Sequence, residues 1–167
     1  MRRSQSGQAL VEFTVSSVLL LTLLFGLIDF GRAIYTRQIM VNLSREAANL
    51  ASRGTSLSNT LTAVRTSALP LDLDQKGYVI LTVVYRNSNS VAVVTNQVAR
   101  GGLQTASRVA ANGVGTTPML PLSNPVLPPP KKTLYVAEIY YGFVPITPVG
   151  RLLKLVLPTK LYDVAYF

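Results

Sequence analysis

The chain of 167 residues contains no cysteine and no histidine. These absences exclude disulfide bonds, metal sites built from Cys and His, and acid–base catalysis by imidazole. They do not indicate a compartment, because a cysteine-free domain is stable on either side of a membrane. Acidic residues are also scarce, with seven against 16 lysines and arginines, so the formal net charge is +9. The seven acids are Glu12, Asp29, Glu46, Asp72, Asp74, Glu138 and Asp163.

The sequence also lacks the motifs on which many catalytic and nucleotide-binding sites are built. It has no glycine-rich phosphate loop and no GxSxG, HExxH or CxxC pattern. Asp72 and Asp74 could contribute to a weak Ca²⁺ site, but a solvated turn between Pro70 and Gly77 explains them more simply. The basic residues are scattered, without the interleaved aromatics of a nucleic-acid groove. We therefore predict no enzyme, no metal or cofactor and no nucleic-acid partner, and a basic surface that is solvated or favours anionic lipids.

What the chain does contain is one long uncharged segment near its N-terminus. Residues 13–28 carry no charge and no proline. With the five residues before them they reach the ~20 residues that a membrane-spanning helix needs. The only charge in this stretch is Glu12, near its start. A carboxylate at membrane depth is costly unless it meets a cation or stays near the interface, which makes Glu12 a candidate functional residue.

The helical pattern continues beyond the apolar run. After residue 28 the sequence becomes amphipathic, with small apolar residues at roughly helical spacing and arginines between them. No proline interrupts this stretch, so we predict a single helix from Gln8 to Ser52, ended by Gly54 as a C-cap. Residues 8–28 would form its transmembrane half, and residues 29–54 its exposed amphipathic continuation.

The remaining residues, 55–167, predict a small α+β domain. A short helix is expected at Ser56–Ala68, with Ser56 or Ser58 as its N-cap, and a helical turn at 151–156. Alternating apolar, β-branched and aromatic residues indicate strands. The predicted strands are 77–86, 91–98, 133–143 and 161–167.

The order of these elements implies that the exposed half of the long helix packs on a small antiparallel β-sheet, which is an α+β fold. In the strand 133–143 the odd-numbered residues form the apolar face, and Glu138 lies on the opposite face. Residues 99–132 are predicted to be a loop, and within them the proline-rich stretch 116–132 is expected to be extended. A surface loop is the simpler interpretation of this stretch, and a ligand for an aromatic groove is the alternative.

The N-terminal sequence Gly7-Gln8-Ala9-Leu10-Val11-Glu12-Phe13, followed by an apolar helix, resembles the N-terminus of a type IV prepilin. The short leader and the Glu-Phe pair are similar, more specifically, to the TadE-like family of tight-adherence (Flp) pilus assembly proteins. Asp29-Phe30-Gly31, Arg45-Glu46-Ala47-Ala48 and the β-rich stretch from Val136 to Pro148 resemble the continuation of that family.

This resemblance implies that residues 1–7 are a leader and that a prepilin peptidase cuts between Gly7 and Gln8. It implies an assembly role for Glu12 and Phe13. The protein would be a minor pilin or pseudopilin of the bacterial inner membrane that works with other minor pilins and the main Flp pilin. It would assist assembly of a Flp pilus or a related secretion system, and it could itself enter the pilus.

Other interpretations of the N-terminus stay open. Residues 1–7 and the apolar run could be a cleaved secretory signal, although no small-x-small cleavage site follows. They could equally be an uncleaved anchor whose Glu12 only reaches the lipid headgroups. The alternative function is a single-pass anchored envelope protein with no role in a pilus.

The charges flanking the apolar run do not decide its orientation. Arg2 and Arg3 lie before it, while Arg32, Arg37 and Arg45 follow it, so the positive-inside rule gives no clear answer. The leader peptidase of the resembled family acts at the cytoplasmic face. That activity would place the N-terminus in the cytoplasm and the C-terminal domain outside it.

Overall fold

The computed structural model describes residues 4–120, 127–152 and 158–167, and the chain divides into two compact units. The helix unit comprises Met1–Tyr35 and Val144–Thr159, and the sheet unit comprises Thr36–Phe143 and Lys160–Phe167. The first helix, α1, contributes its N-terminal part to the helix unit and its C-terminal part to the sheet unit.

Helix α1 spans Ser4–Ser52 without interruption, which confirms the prediction of one long helix. It ends where the sequence predicted. The Gly54 N–H donates to the Ala51 carbonyl (3.1 Å) and the Thr55 N–H to the Leu50 carbonyl (3.3 Å), the two bonds of a Schellman motif. Gly54 has a φ of 90°, a left-handed conformation that glycine adopts without a Cβ penalty.

The sheet unit is built on four antiparallel strands in the order β2-β1-β3-β4. All four predicted strands are confirmed, and their ends differ from the predicted ones by no more than three residues. The helix α2 (Leu57–Ser67) and the single turn α3 (Leu73–Lys76) precede the first strand. The strands are β1 (Gly77–Arg86), β2 (Ala92–Gly101), β3 (Thr133–Gly142) and β4 (Lys160–Tyr166).

One face of the sheet packs against the last part of α1, which confirms the α+β fold. Ala47 and Ala48 of α1 are completely buried, and their small side chains permit a close approach of helix and sheet. Ser44, also completely buried, donates its hydroxyl to Asp163 Oδ2 of β4 at 2.5 Å. Burial of each large apolar side chain at this contact stabilises the folded state by roughly 1.5–3 kcal/mol relative to leaving it exposed.

The opposite face of the sheet is covered by an irregular segment rather than by a helix. Val109 and Ala110, from the long connection between β2 and β3, are buried against apolar residues of β1, β2 and β3. Residues 102–120 and 127–132 of this connection form no helix or strand, as predicted for them, but its burial over the sheet was not predicted. Of the predicted proline-rich loop 116–132, residues 121–126 lie outside the described residues.

Asp72 and Asp74, the two acids considered for Ca²⁺, have structural partners. The Asp72 side chain caps α3 by accepting from the Gln75 N–H (3.0 Å), and Asp74 forms an ion pair with Arg65 of α2. Both carboxylates therefore stabilise the turn that leads into β1.

Candidate membrane and assembly site

The four residues predicted to act in processing and assembly lie in the first turns of α1. The Gln8 side-chain amide donates to Glu12 Oε1 at 3.1 Å, because residues i and i+4 face the same side of a helix. Glu12 is exposed, and Phe13 exposes 72% of its surface. A Cβ added to Gly7 would meet no atom within 4 Å, so no contact within the protein requires glycine at this position. The structure thus brings Gln8 and Glu12 together and leaves Phe13 accessible to another molecule.

The stretch of α1 that follows Phe13 is apolar on every side and exposed on every side. Its most apolar 18-residue window has a mean hydropathy of 2.1, and none of that window is buried. Thr14 and Thr22 do not break the pattern, because each hydroxyl donates to a carbonyl one turn earlier at 2.8 Å. By length and composition this helix could cross a membrane, where every polar group must be satisfied internally.

Asp29 follows the apolar stretch directly, and its side chain is completely buried. Its carboxylate accepts three hydrogen bonds from one short segment: from the Ile146 N–H (2.9 Å), the Thr147 N–H (3.3 Å) and the Thr147 hydroxyl (2.5 Å). Arg32 Nη1 lies 3.8 Å from Oδ1. Hydrogen bonds to the charged form and a nearby cation offset the cost of burying a carboxylate.

The segment that binds Asp29 is held in shape by its own sequence. Thr147 is the N-cap of α4 (Pro148–Leu152): its hydroxyl oxygen accepts from the Gly150 N–H at 3.0 Å, and Pro148 takes the first helical position. A Cβ on Gly150 would overlap Asp29 Oδ2, so only glycine fits there. The sequence did not predict the contact between Thr147 and Asp29. The Thr-Pro pair followed by glycine was the available signal for the cap, but nothing local identified Asp29 as its partner.

A second buried carboxylate, Glu138, lies on the face of β3 opposite to α1. It accepts from the Ser107 hydroxyl, from the Arg108 N–H (2.8 Å) and from the hydroxyls of Tyr140 and Tyr162 (3.1 Å each). The prediction placed Glu138 opposite the apolar face but gave it no partners. Its acceptor sites are occupied by groups of the protein, so the arrangement fastens residues 107–108 to the sheet.

The electrostatic environment of this network keeps its tyrosines protonated. Burial and the negative charge of Glu138 raise the pKa of Tyr140 and of Tyr162 far above the ordinary value of 10.0. The same two causes raise the pKa of Tyr166. The phenol groups of Tyr140 and Tyr162 therefore remain hydrogen-bond donors beyond the pH at which an exposed tyrosine ionises.

The sheet unit also carries an open groove of about 480 Å³ where α1 ends and α2 begins. Hydroxyl groups, one amide and apolar side chains line it, and no charged side chain is among them. This composition offers no acid, base or cation for chemistry. The lining residues are Ala51, Gly54, Thr55, Ser56, Leu57, Ser58, Val83, Asn96, Val98 and Tyr135.

Comparison with known proteins bears on α1. No curated protein and no solved structure matches the chain. Residues 7–49 match a family model described as TadE-like protein. The match covers Gly7, Gln8, Glu12, Phe13 and Asp29, and it relates the chain to proteins of the tight-adherence pilus machinery. It confirms the resemblance predicted from the sequence: residues 7–49 are similar to the TadE-like family.

Proposed function

We propose that this protein is a membrane-anchored minor pilin or pseudopilin that assists assembly of a Flp (tight-adherence) pilus or a related secretion system. Residues 8–28 span the bacterial inner membrane, and residues 55–167 lie outside the cytoplasm. The observation that carries the proposal is an exposed apolar helix with a lone, accessible carboxylate near its start, within the TadE-like match.

The chemistry of the N-terminus supports an assembly mechanism. Cleavage by a prepilin peptidase between Gly7 and Gln8 would create a new terminal ammonium on Gln8. When such helices pack side by side, the ammonium of one subunit can meet Glu12 of its neighbour. At low dielectric this attraction is large enough to offset much of the desolvation cost of the two charges. Glu12 is also near the helix N-terminus, where the helix dipole favours a negative charge.

Phe13 supports the same contact. Its side chain is exposed and apolar, directly next to Glu12. Burial of an aromatic side chain between neighbouring helices adds packing energy beside the charge pair. Gln8 already donates to Glu12 within the chain, so the carboxylate keeps one partner before assembly.

The intact mass of the protein extracted from membranes tests the proposal. In cells with an active prepilin peptidase, we expect a chain that begins at Gln8. Gly7→Val should block the cut, because the peptidase requires a small residue there. Gly26→Val is the matched control: neither glycine has an atom within 4 Å of an added Cβ, and it should be cut normally. A wild-type chain that retains Met1–Gly7 would contradict the pilin assignment and favour a plain membrane anchor.

A further inference from the structure

The loop at Val144–Thr147 is attached to α1 at one point, immediately after the apolar stretch. Asp29 accepts three hydrogen bonds from the loop, and both partners belong to the helix unit. If residues 8–28 span the bilayer, Asp29 is the first residue past the span. The loop is therefore fixed at the height of the membrane surface.

The side chains of this loop alternate between buried and exposed. Pro145 and Thr147 are buried, whereas Val144 and Ile146 expose 59% and 55% of their surfaces. The N–H groups of Ile146 and Thr147 and the Thr147 hydroxyl are directed to Asp29, whereas the side chains of Val144 and Ile146 are directed outward. Exposure of these two β-branched side chains to water costs roughly 25 cal/mol per Å² of apolar surface. In a lipid environment this cost is absent.

The loop completes an apolar perimeter around α1. Phe30, Ile34 and Tyr35 follow Asp29 within two turns of the helix, and all three are exposed. At 3.6 residues per turn, Phe30 and Ile34 lie on one flank of Asp29 and Tyr35 on the other. Asp29 would interrupt that perimeter, because a carboxylate that faces acyl chains is unfavourable unless it is paired or reaches the headgroups. The loop buries the carboxylate and presents Val144 and Ile146 in its place.

We propose that Val144, Ile146, Phe30, Ile34 and Tyr35 form an interfacial collar that inserts into the boundary between headgroups and acyl chains of the bilayer. The collar extends the apolar surface of α1 beyond residue 28 by about two helical turns, roughly 10 Å. This inference rests on the proposed membrane anchoring. The molecules that contact the collar are phospholipids, because the collar continues the apolar surface of the spanning helix. An amphipathic tyrosine is typical of this depth, and Arg32 and the exposed Arg151 complement anionic headgroups.

Tryptophan placed in the collar tests the proposal, because the natural chain contains none. Four single variants of the full-length protein are reconstituted in vesicles of phosphatidylcholine and phosphatidylglycerol at high lipid-to-protein ratio. Ile146→Trp reports on the collar and Val18→Trp on the middle of the proposed span. Val114→Trp is an equally exposed control in the sheet unit. Val144→Trp serves as a second collar probe.

Quenching by brominated lipids gives the depth of each tryptophan. We expect lipid brominated near the headgroup end of its chain to quench Ile146→Trp and Val144→Trp more strongly than lipid brominated near the chain end. Val18→Trp should show the reverse order, and Val114→Trp should not be quenched.

Quenching at residue 18 without quenching at 144 and 146 would overturn the collar and leave the anchor intact. Absence of quenching at residue 18 would overturn the anchor itself. Equal quenching at 114 and 146 would overturn the collar, since the contact would then not be specific to it.

Discussion

Asp29 and Glu138 are both completely buried, and each attaches a distant loop to a regular element. Asp29 binds a loop that lies 117 residues later in the chain. Glu138 binds Arg108 and Ser107, which precede it in the chain by 30 and 31 positions. Each carboxylate accepts at least three hydrogen bonds from the protein, so its burial does not leave an unpaired charge. Removing such a group leaves its donors without partners, and the cost is then the full desolvation penalty of those donors.

Glu138→Gln provides the residue-scale prediction. The amide keeps the size of the side chain but replaces one acceptor oxygen with a donor that faces other donors. We expect the free energy of unfolding to fall by about 1–3 kcal/mol. Denaturant unfolding of the detergent-solubilised protein, followed by near-ultraviolet circular dichroism of the tyrosines, measures the change.

The matched control for this prediction is Glu46→Gln on the exposed side of α1. A surface substitution of this kind should change stability by no more than about 0.5 kcal/mol. If the two variants were equally stable, Glu138 would not hold the connection between β2 and β3 in the way that its hydrogen bonds indicate.

At the scale of elements, the sequence predicted the parts of the fold that rest on a repeating pattern. The strand β1 was predicted at 77–86 and spans Gly77–Arg86, because alternating β-branched residues match the pleat of a sheet. Helix α1 was predicted because no proline interrupts it and Gly54 ends it. These signals are local, and local signals can be read from one sequence.

The sequence did not predict the elements that depend on contacts between distant residues. The connection between β2 and β3 covers the sheet because Ser107 and Arg108 bind Glu138. No periodic pattern in the sequence indicates such a contact. The attachment of Thr147 to Asp29 is of the same kind. For the candidate site, the sequence predicted the exposed apolar helix and its lone carboxylate. Cleavage after Gly7 and assembly through Glu12 remain predictions.

Asp29→Ala provides the element-scale prediction. It removes the acceptor for two backbone N–H groups and the Thr147 hydroxyl, so the segment that contains α4 should lose its attachment to α1. Local opening then requires less free energy, and a protease reaches the segment sooner. We expect trypsin to cut after Arg151 at least several-fold faster in the solubilised variant, as measured by mass spectrometry of the fragments.

Thr147→Val should accelerate the same cut, because it removes both the hydrogen bond to Asp29 and the N-cap of α4. Asp72→Ala is the control, since it removes the N-cap of α3, a similarly short helix in the sheet unit. It should leave cleavage after Arg151 unchanged. An unchanged rate in both Asp29→Ala and Thr147→Val would contradict the attachment.

At the scale of the whole molecule, the two units differ in what they need from their surroundings. The sheet unit buries apolar residues on both faces of its sheet, and its buried acid Glu138 accepts hydrogen bonds from groups of the same unit. The helix unit exposes most of its apolar residues, so it needs lipid or other helices around it. Glu12 is the one carboxylate of that exposed surface within the proposed span. A variant at this position should therefore affect association between molecules and leave the fold of each molecule unchanged.

Glu12→Val tests this separation. Replacing the charge with an apolar side chain should make membrane insertion easier, by up to a few kcal/mol on insertion-based scales. The variant should accumulate normally in the membrane and be cut after Gly7. It should nevertheless fail to crosslink to other pilins or to support piliation, because the partner for a neighbour's terminal ammonium is lost.

Glu12→Gln should fail as well, since it keeps the size but not the charge. Glu46→Gln, an exposed carboxylate further along the same helix, should assemble normally. Normal piliation by both Glu12 variants would show that the carboxylate is only tolerated at the membrane interface and that charge pairing does not drive assembly.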